Sequence, residues 1–400
     1  MTRNMTALIG FVLLAGCSGG GGDSSTTSTA PPPPTPTAQP EMLTVTPQGI
    51  LRGKANGQGQ REILRAPNLH QANLPVDQRH IVYSRIGRAG DGDIWTVLTD
   101  GTGDHALLNS PNLEFLYNAS WPWVIFEDDG VGTKSLNAET QEQFTIGWGG
   151  IPFRVRLTDA RVIFSDDDYI YSETFTGTDR IVYVAPNQSE HITSAIVEDR
   201  LVYRRLPFSP SSNLFSVPIL GGATIPLDSG QSYVSFAGSI DTRVVYHRCP
   251  FVSGQSTGPC DVVSVNSDGS SPVVIASHPA NEAVQGVTTN QVIIRRNLSG
   301  NDHLIAVPVT GGAETFLMTM TDSEFVDTVV EDTIIVRRPS GTWSLNLSGT
   351  LKQLNNIAGL DGFVAVGNAI CSSDPVWCMP LDGSTPAVKI ANTGRVVEVL

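Results

Sequence analysis

The chain has 400 residues, 40% of them hydrophobic, and a formal net charge of −14 from 25 Lys and Arg against 39 Asp and Glu. A net negative field opposes the approach of phosphates, which argues against a nucleic-acid partner. Apolar material suffices for a large core, and only four cations are lysines (Lys54, Lys134, Lys352 and Lys389), so the positive charge is almost all guanidinium.

The N-terminus, MTRNMTALIGFVLLAGCSGGGG, carries one basic residue, Arg3, and then an apolar run from Ala7 to Ala15. That run is too short to span a bilayer as a permanent helix. Leu14-Ala15-Gly16-Cys17 resembles a bacterial lipobox. The resemblance implies a signal peptide over residues 1–16 and a membrane anchor through a lipid on Cys17. Ser18 stands where an Asp would mark inner-membrane retention in the families this resembles, which implies an outer-membrane lipoprotein in the cell envelope, facing the periplasm or the surface. Residues 17–40 are Gly, Ser, Thr and Pro with almost nothing to bury, so they read as a disordered tether. Residues 41–78 form a lead-in in which MLTVTP is a candidate strand.

From residue 79 onward the chain repeats. An apolar run ending in a charge occurs as IVYSR at Ile81, VIFED at Val124, VIFSD at Val162, LVYRR at Leu201, VVYHR at Val244, VIIRR at Val292, IIVRR at Ile334 and ICSSD at Ile370. A short strand precedes most of these, and a third and fourth strand follow around Asp-Gly or Gly-Gly turns, as in TVLTDGTGDHALL. Such turns match the twist of a hairpin. Four short antiparallel strands per roughly 40 residues are the pattern of a propeller blade, and near-continuous apolar second strands suit sheets covered on both faces. The expected fold is therefore all-β, a β-propeller over residues 79–400 with eight blades, or seven if a weak unit is not a blade. The C-terminal RVVEVL is free to complete the blade of Ile81.

IVYSRIGRAGDGDIWTVLTDGTGDHALL is similar to the TolB-type propeller repeats of bacterial envelope proteins. The resemblance implies a module that binds proteins or glycans. The other units lack the family's Pro-Asp-Gly turn, and nothing here supplies the extra N-terminal domain of TolB.

Several candidate sites fall to simpler readings. Gly254-Gln255-Ser256-Thr257-Gly258 matches G-x-S-x-G but sits in a hairpin loop instead of a strand-to-helix turn. Asp166-Asp167-Asp168 and Asp91-Gly92-Asp93 lack the spacing of a calcium loop and read as solvated turns. Cys249 with Cys260 and Cys371 with Cys378 lie between second and third strands and are expected to form local disulfides in an oxidising compartment; their spacing does not suit a metal site, and neither metal nor cofactor is expected.

The most informative pattern comes from aligning the second strands. Their fifth positions are Arg85, Asp128, Asp166, Arg205, Arg248, Arg296, Arg338 and Asp374, and the fourth positions add Arg204, His247, Arg295 and Arg337. In a closed ring these form an arc of arginines against an arc of aspartates. Forked guanidiniums suit a carboxylate or a sulfated or acidic glycan, and the competing explanation is ion pairing to acids of the adjacent blade. The expected role is a binding module for an envelope protein or anionic glycan through Arg85, Arg205, Arg248, Arg296, Arg338 and His247. The alternative is a polysaccharide lyase or hydrolase in which the arginines neutralise a substrate and His247 or an Asp moves protons.

Overall fold

The computed structural model describes residues 41–399, apart from 74–76, 78, 87–91, 130, 148–153, 166–168, 185–189, 207–213, 229–231, 253–254, 257 and 299. Cys17, Asp91 and Asp166–Asp168 lie outside the described residues, as do Gly254 and Thr257 of the G-x-S-x-G string.

The described residues form nine sheets, each with a four-strand antiparallel path, so the count is nine blades where eight or seven were expected. Blades 2 to 9 span residues 69–108, 114–145, 154–184, 190–226, 232–276, 282–320, 325–353 and 361–391, and their second strands are the eight apolar runs picked out above. Blade 6 carries an extra short strand, Gln255–Ser256, paired with its extended second strand.

The ninth sheet, blade 1, comes from the supposed lead-in. Glu41–Thr46, Gly49–Lys54 and Arg61–Arg65 are its second, third and outer strands, and the C-terminal Arg395–Val399 pairs with Glu41–Thr46 as its innermost strand. The C-terminus thus completes this blade and not that of Ile81. This unit departs from the pattern of the other eight because its second strand, EMLTVT, carries no charge at the fifth position, where Thr46 stands.

Second-strand side chains alternate between faces, and the alternation is the same around the ring. Ile81 and Tyr83, at positions one and three, pack with Leu43 and Val45 of blade 1. Val82, at position two, packs with Val124 and Phe126 of blade 3. Each gap between successive blades holds one such apolar cluster, and the last, Met42 with Cys371 and Cys378, joins blade 9 back to blade 1. Nine blades and nine clusters close the ring, so each blade is packed on both faces, and the outer strand remains the free edge of each sheet.

The turn between third and outer strands adds a second set of contacts. In eight blades it holds a glycine at positive φ: Gly57, Gly101, Gly177, Gly221, Gly269, Gly311, Gly349 and Gly383. Each of these lies against the outer strand of the preceding blade; a Cβ on Gly101 would stand 2.9 Å from the Ile63 carbonyl oxygen, and one on Gly177 2.7 Å from that of Thr145. These glycines serve the hairpin and the seam between blades at once.

The two disulfides form as expected. Cys249–Cys260 joins the second and third strands of blade 6, and Cys371–Cys378 sits in the core between blades 9 and 1.

Candidate functional site

Fourth and fifth positions of a second strand project to opposite faces of the sheet, the fifth towards the preceding blade and the fourth towards the following one. The arc read from the sequence is therefore two sets of side chains on two sides of each blade.

On the fifth-position side, every arginine whose side chain is described meets a carboxylate of its own blade or of the residue leading into it. Arg85 donates Nη2 to Tyr83 Oη at 2.5 Å and to Asp104 Oδ2 at 3.1 Å, with its guanidinium 4.2 Å from the centroid of Trp95. Tyr83 Oη also donates to Asp104, and burial pushes its pKa far above the ordinary tyrosine range. Arg248 Nη2 donates to Asp261 Oδ2 at 2.9 Å. Burial opposes ionisation of Asp261, but hydrogen bonds from Arg248 and Ser277 outweigh it and hold its pKa below the usual range. Arg338 pairs with Glu324 at 2.8 Å and lies over Trp343.

Arg296 is the most enclosed of the set. Nε donates to Glu282 Oε1 at 2.7 Å, and Nη1 and Nη2 form a fork on Glu314 at 2.8 and 2.6 Å. The Glu282 side chain is fully buried, and burial pushes its pKa up even against the guanidinium beside it. The fork holds Glu314 below its ordinary value.

The partner acids thus belong to the same blade or to the residue leading into it, not to the neighbouring blade, because the guanidinium lies back across its own sheet. Asp128 is also paired, accepting from Lys134 Nζ at 2.6 Å and Asn112 Nδ2 at 2.9 Å. The aspartate end of the arc borders a cavity of about 530 Å³ lined by Thr46, Leu69, Asp374 and Arg395. Arg205 is described by its backbone alone, opposite His191.

The fourth-position set tells a similar story. Arg295 Nε donates to Asp302 Oδ2 at 2.6 Å, and Arg337 Nε to Asp327 Oδ2 at 3.1 Å, with Asp327 on the bulge of the inner strand. Arg204 reaches the next blade and donates to Tyr233 Oη at 3.1 Å. His247 accepts the backbone N–H of Val284 at Nε2, 3.0 Å away in blade 7, and burial pushes its pKa down. That bond occupies the lone pair a proton-moving imidazole would need.

A third family of arginines was not legible in the sequence. Arg161, Arg200 and Arg243 immediately precede the apolar runs of blades 4, 5 and 6, and each donates Nε to a third-strand serine, Ser172, Ser216 or Ser264. The available signal was an arginine ahead of the run and a serine in the next strand. Loops of unequal length between the two hide the pairing.

No family model matches the chain, and no curated protein matches it significantly. Among solved structures, a eukaryotic initiation factor aligns over 91% of this chain and 98% of its own at 7% identity and a TM-score of 0.60. Apo AztD from Citrobacter koseri aligns over 90% of this chain and 96% of its own at 12% identity and a TM-score of 0.45. An oligogalacturonate lyase in complex with manganese aligns over 76% of this chain and 96% of its own, at 12% identity and a TM-score of 0.42. At these identities the likeness is one of fold alone.

Proposed function

We propose that this chain is a lipid-anchored binding module of the bacterial cell envelope whose propeller engages a protein through the arginine-bearing face. The observation that carries the reading is the pairing of Arg85, Arg248, Arg296 and Arg338 with carboxylates of their own blades. Guanidiniums already neutralised are a poor cradle for a polyanion. Ordered pairs of both signs instead present fixed donors and acceptors, which suit the mixed charge of a protein surface. A glycan-cleaving reading loses His247 as a proton carrier, since its Nε2 is taken up by Val284. The lipobox-like segment ending at Cys17 supports the anchor, and two-signal lipid attachment is what holds such a chain on a membrane.

The test uses the full chain carrying Cys17→Ser, which is expected to leave the membrane fraction. Arg248→Gln with Asp261→Asn removes one exposed ion pair at constant net charge. This double variant is expected to keep the parent's melting temperature and to lose at least tenfold in capture of envelope protein. Unchanged capture, with matching losses produced only by added sulfated polysaccharide, would overturn the protein-partner reading in favour of a glycan.

A further inference from the structure

In blades 4, 5 and 6 a guanidinium fills one particular place in the gap towards the next blade. Arg161, Arg200 and Arg243 donate Nε to Ser172, Ser216 and Ser264 Oγ at 2.8, 2.6 and 2.6 Å, and Nη2 to the carbonyl of the same serine at 3.3, 3.4 and 3.2 Å. In all three blades the serine stands opposite position two of the second strand.

Blade 2 has the same frame with different side chains. Thr96 stands opposite Val82 in the serine's place, and His80, opposite Leu98, takes the arginine's. The His80 ring lies flat on Trp121 of blade 3, with centroids 3.5 Å apart and an interplanar angle of 2°, and Nδ1 is 2.5 Å from Asp77 Oδ2. Thr96 is 1% exposed, and its Oγ1 has no hydrogen-bond partner among the described residues. Beside it is a cavity of about 250 Å³, lined by His80, Thr96, Leu98, His105, Trp121 and Ala138.

We propose that this cavity is a socket for the arginine side chain of a partner polypeptide. The chain's own arginines show which group the frame accepts, because three sister blades hold a guanidinium at the equivalent place. A buried hydroxyl without a partner is costly, and an N–H donor brought in from outside would satisfy it. Leu98 and Ala138 offer an apolar lining for the methylene stem, and the His80–Trp121 stack offers an aromatic plate for the planar head. Asp77 on His80 and Glu139 on Trp121 Nε1, at 3.2 Å, add two carboxylates near the cavity. The socket rests on the protein-partner reading and supplies what that reading lacks, a specific side chain to be recognised.

The probe is N-acetyl-L-arginine methylamide, titrated into the Cys17→Ser chain while the Trp121 indole N–H resonance is followed. It is expected to shift that resonance saturably in the millimolar range, and the citrulline analogue, of the same shape without charge, to bind at least tenfold more weakly. Free arginine, whose α-ammonium and α-carboxylate replace the probe's two amides and are costlier to strip of water, should also bind more weakly, and tighter binding of the free amino acid would overturn the polypeptide source. Thr96→Val should weaken the probe about tenfold. His80→Arg, which rebuilds the guanidinium of the sister blades, should abolish probe binding and raise the melting temperature. An unmoved Trp121 resonance, or equal binding by citrulline, overturns the socket. If the probe fails while partner capture still responds to Arg248→Gln with Asp261→Asn, the socket alone falls; if the probe binds and capture does not respond, the face reading falls alone.

Discussion

Val284 of blade 7 donates its backbone N–H to Nε2 of His247 in blade 6 across 3.0 Å. An imidazole that accepts at Nε2 is neutral and carries its proton on Nδ1. Burial pushes the His247 pKa below the ordinary value of 6.5, so the unfolded chain takes up the proton first as pH falls. The contribution is fully present above that ordinary value and declines as pH drops below it towards the folded value. Thermal melts between pH 7.5 and 5.5 should therefore fall more for the parent than for His247→Phe. Parallel slopes would contradict the assignment.

The arginines of the fifth positions differ in what they hold, and stability should separate them. Arg296→Gln leaves Glu282 without its buried partner, with an expected cost of about 3 to 5 kcal/mol. Arg248 and Asp261 are each about a third exposed, so Arg248→Gln should cost no more than about 1 kcal/mol. Denaturant melts of the two single variants check the order, and equal losses would show that the pairs are energetically alike.

The seam between blades is tested by two neighbouring glycines. Gly101 and Gly103 both have positive φ, but only Gly101 is pressed on the preceding blade, 2.9 Å from the Ile63 carbonyl oxygen for an added Cβ, against 3.8 Å to a Leu98 side chain at Gly103. Both alanine variants incur backbone strain of about 1 kcal/mol. Gly101→Ala should lose at least about 1 kcal/mol more, because Ile63 must shift. Equal losses in denaturant melts would mean that turn strain alone accounts for both.

These glycines also explain why the sequence points to eight blades where the fold has nine. Apolar runs ending in a charge are an imperfect marker of a blade, because the charge at position five depends on an acid or base placed elsewhere in the same blade, and blade 1 has the uncharged Thr46 there. The glycine of the outer turn is constrained twice, by its own φ and by the neighbouring outer strand, so it persists where the charge does not. Asn56-Gly57 in the supposed lead-in was the readable sign of the ninth unit. The periodicity of the second strands was legible because burial on both faces leaves mostly apolar choices at positions one to three. The pairing of Arg296 with Glu314 was not, since it depends on a guanidinium reaching across the third strand to the residue before the outer one.

The disulfides should differ in how readily they are reduced. Cys371 and Cys378 are buried at 0% and 1% exposure in the gap between blades 9 and 1, whereas Cys260 is partly exposed. Mild reductant is expected to open Cys249–Cys260 first. Full reduction of either bond should cost about 2 to 3 kcal/mol, through the freedom regained by the unfolded chain. Mass mapping of alkylated peptides over time checks the order, and earlier labelling of Cys371 would contradict the burial argument.

The central claim is that the arginine face presents paired charges to a protein and does not cradle an anion. Calorimetric titration of a sulfated or uronate oligosaccharide into the full chain carrying Cys17→Ser, at about 150 mM salt where long-range attraction is screened, tests it most directly. No saturable heat is predicted. Saturable binding that disappears when Arg85, Arg248 and Arg338 are replaced together by glutamine, in a protein that still melts cooperatively, would contradict it.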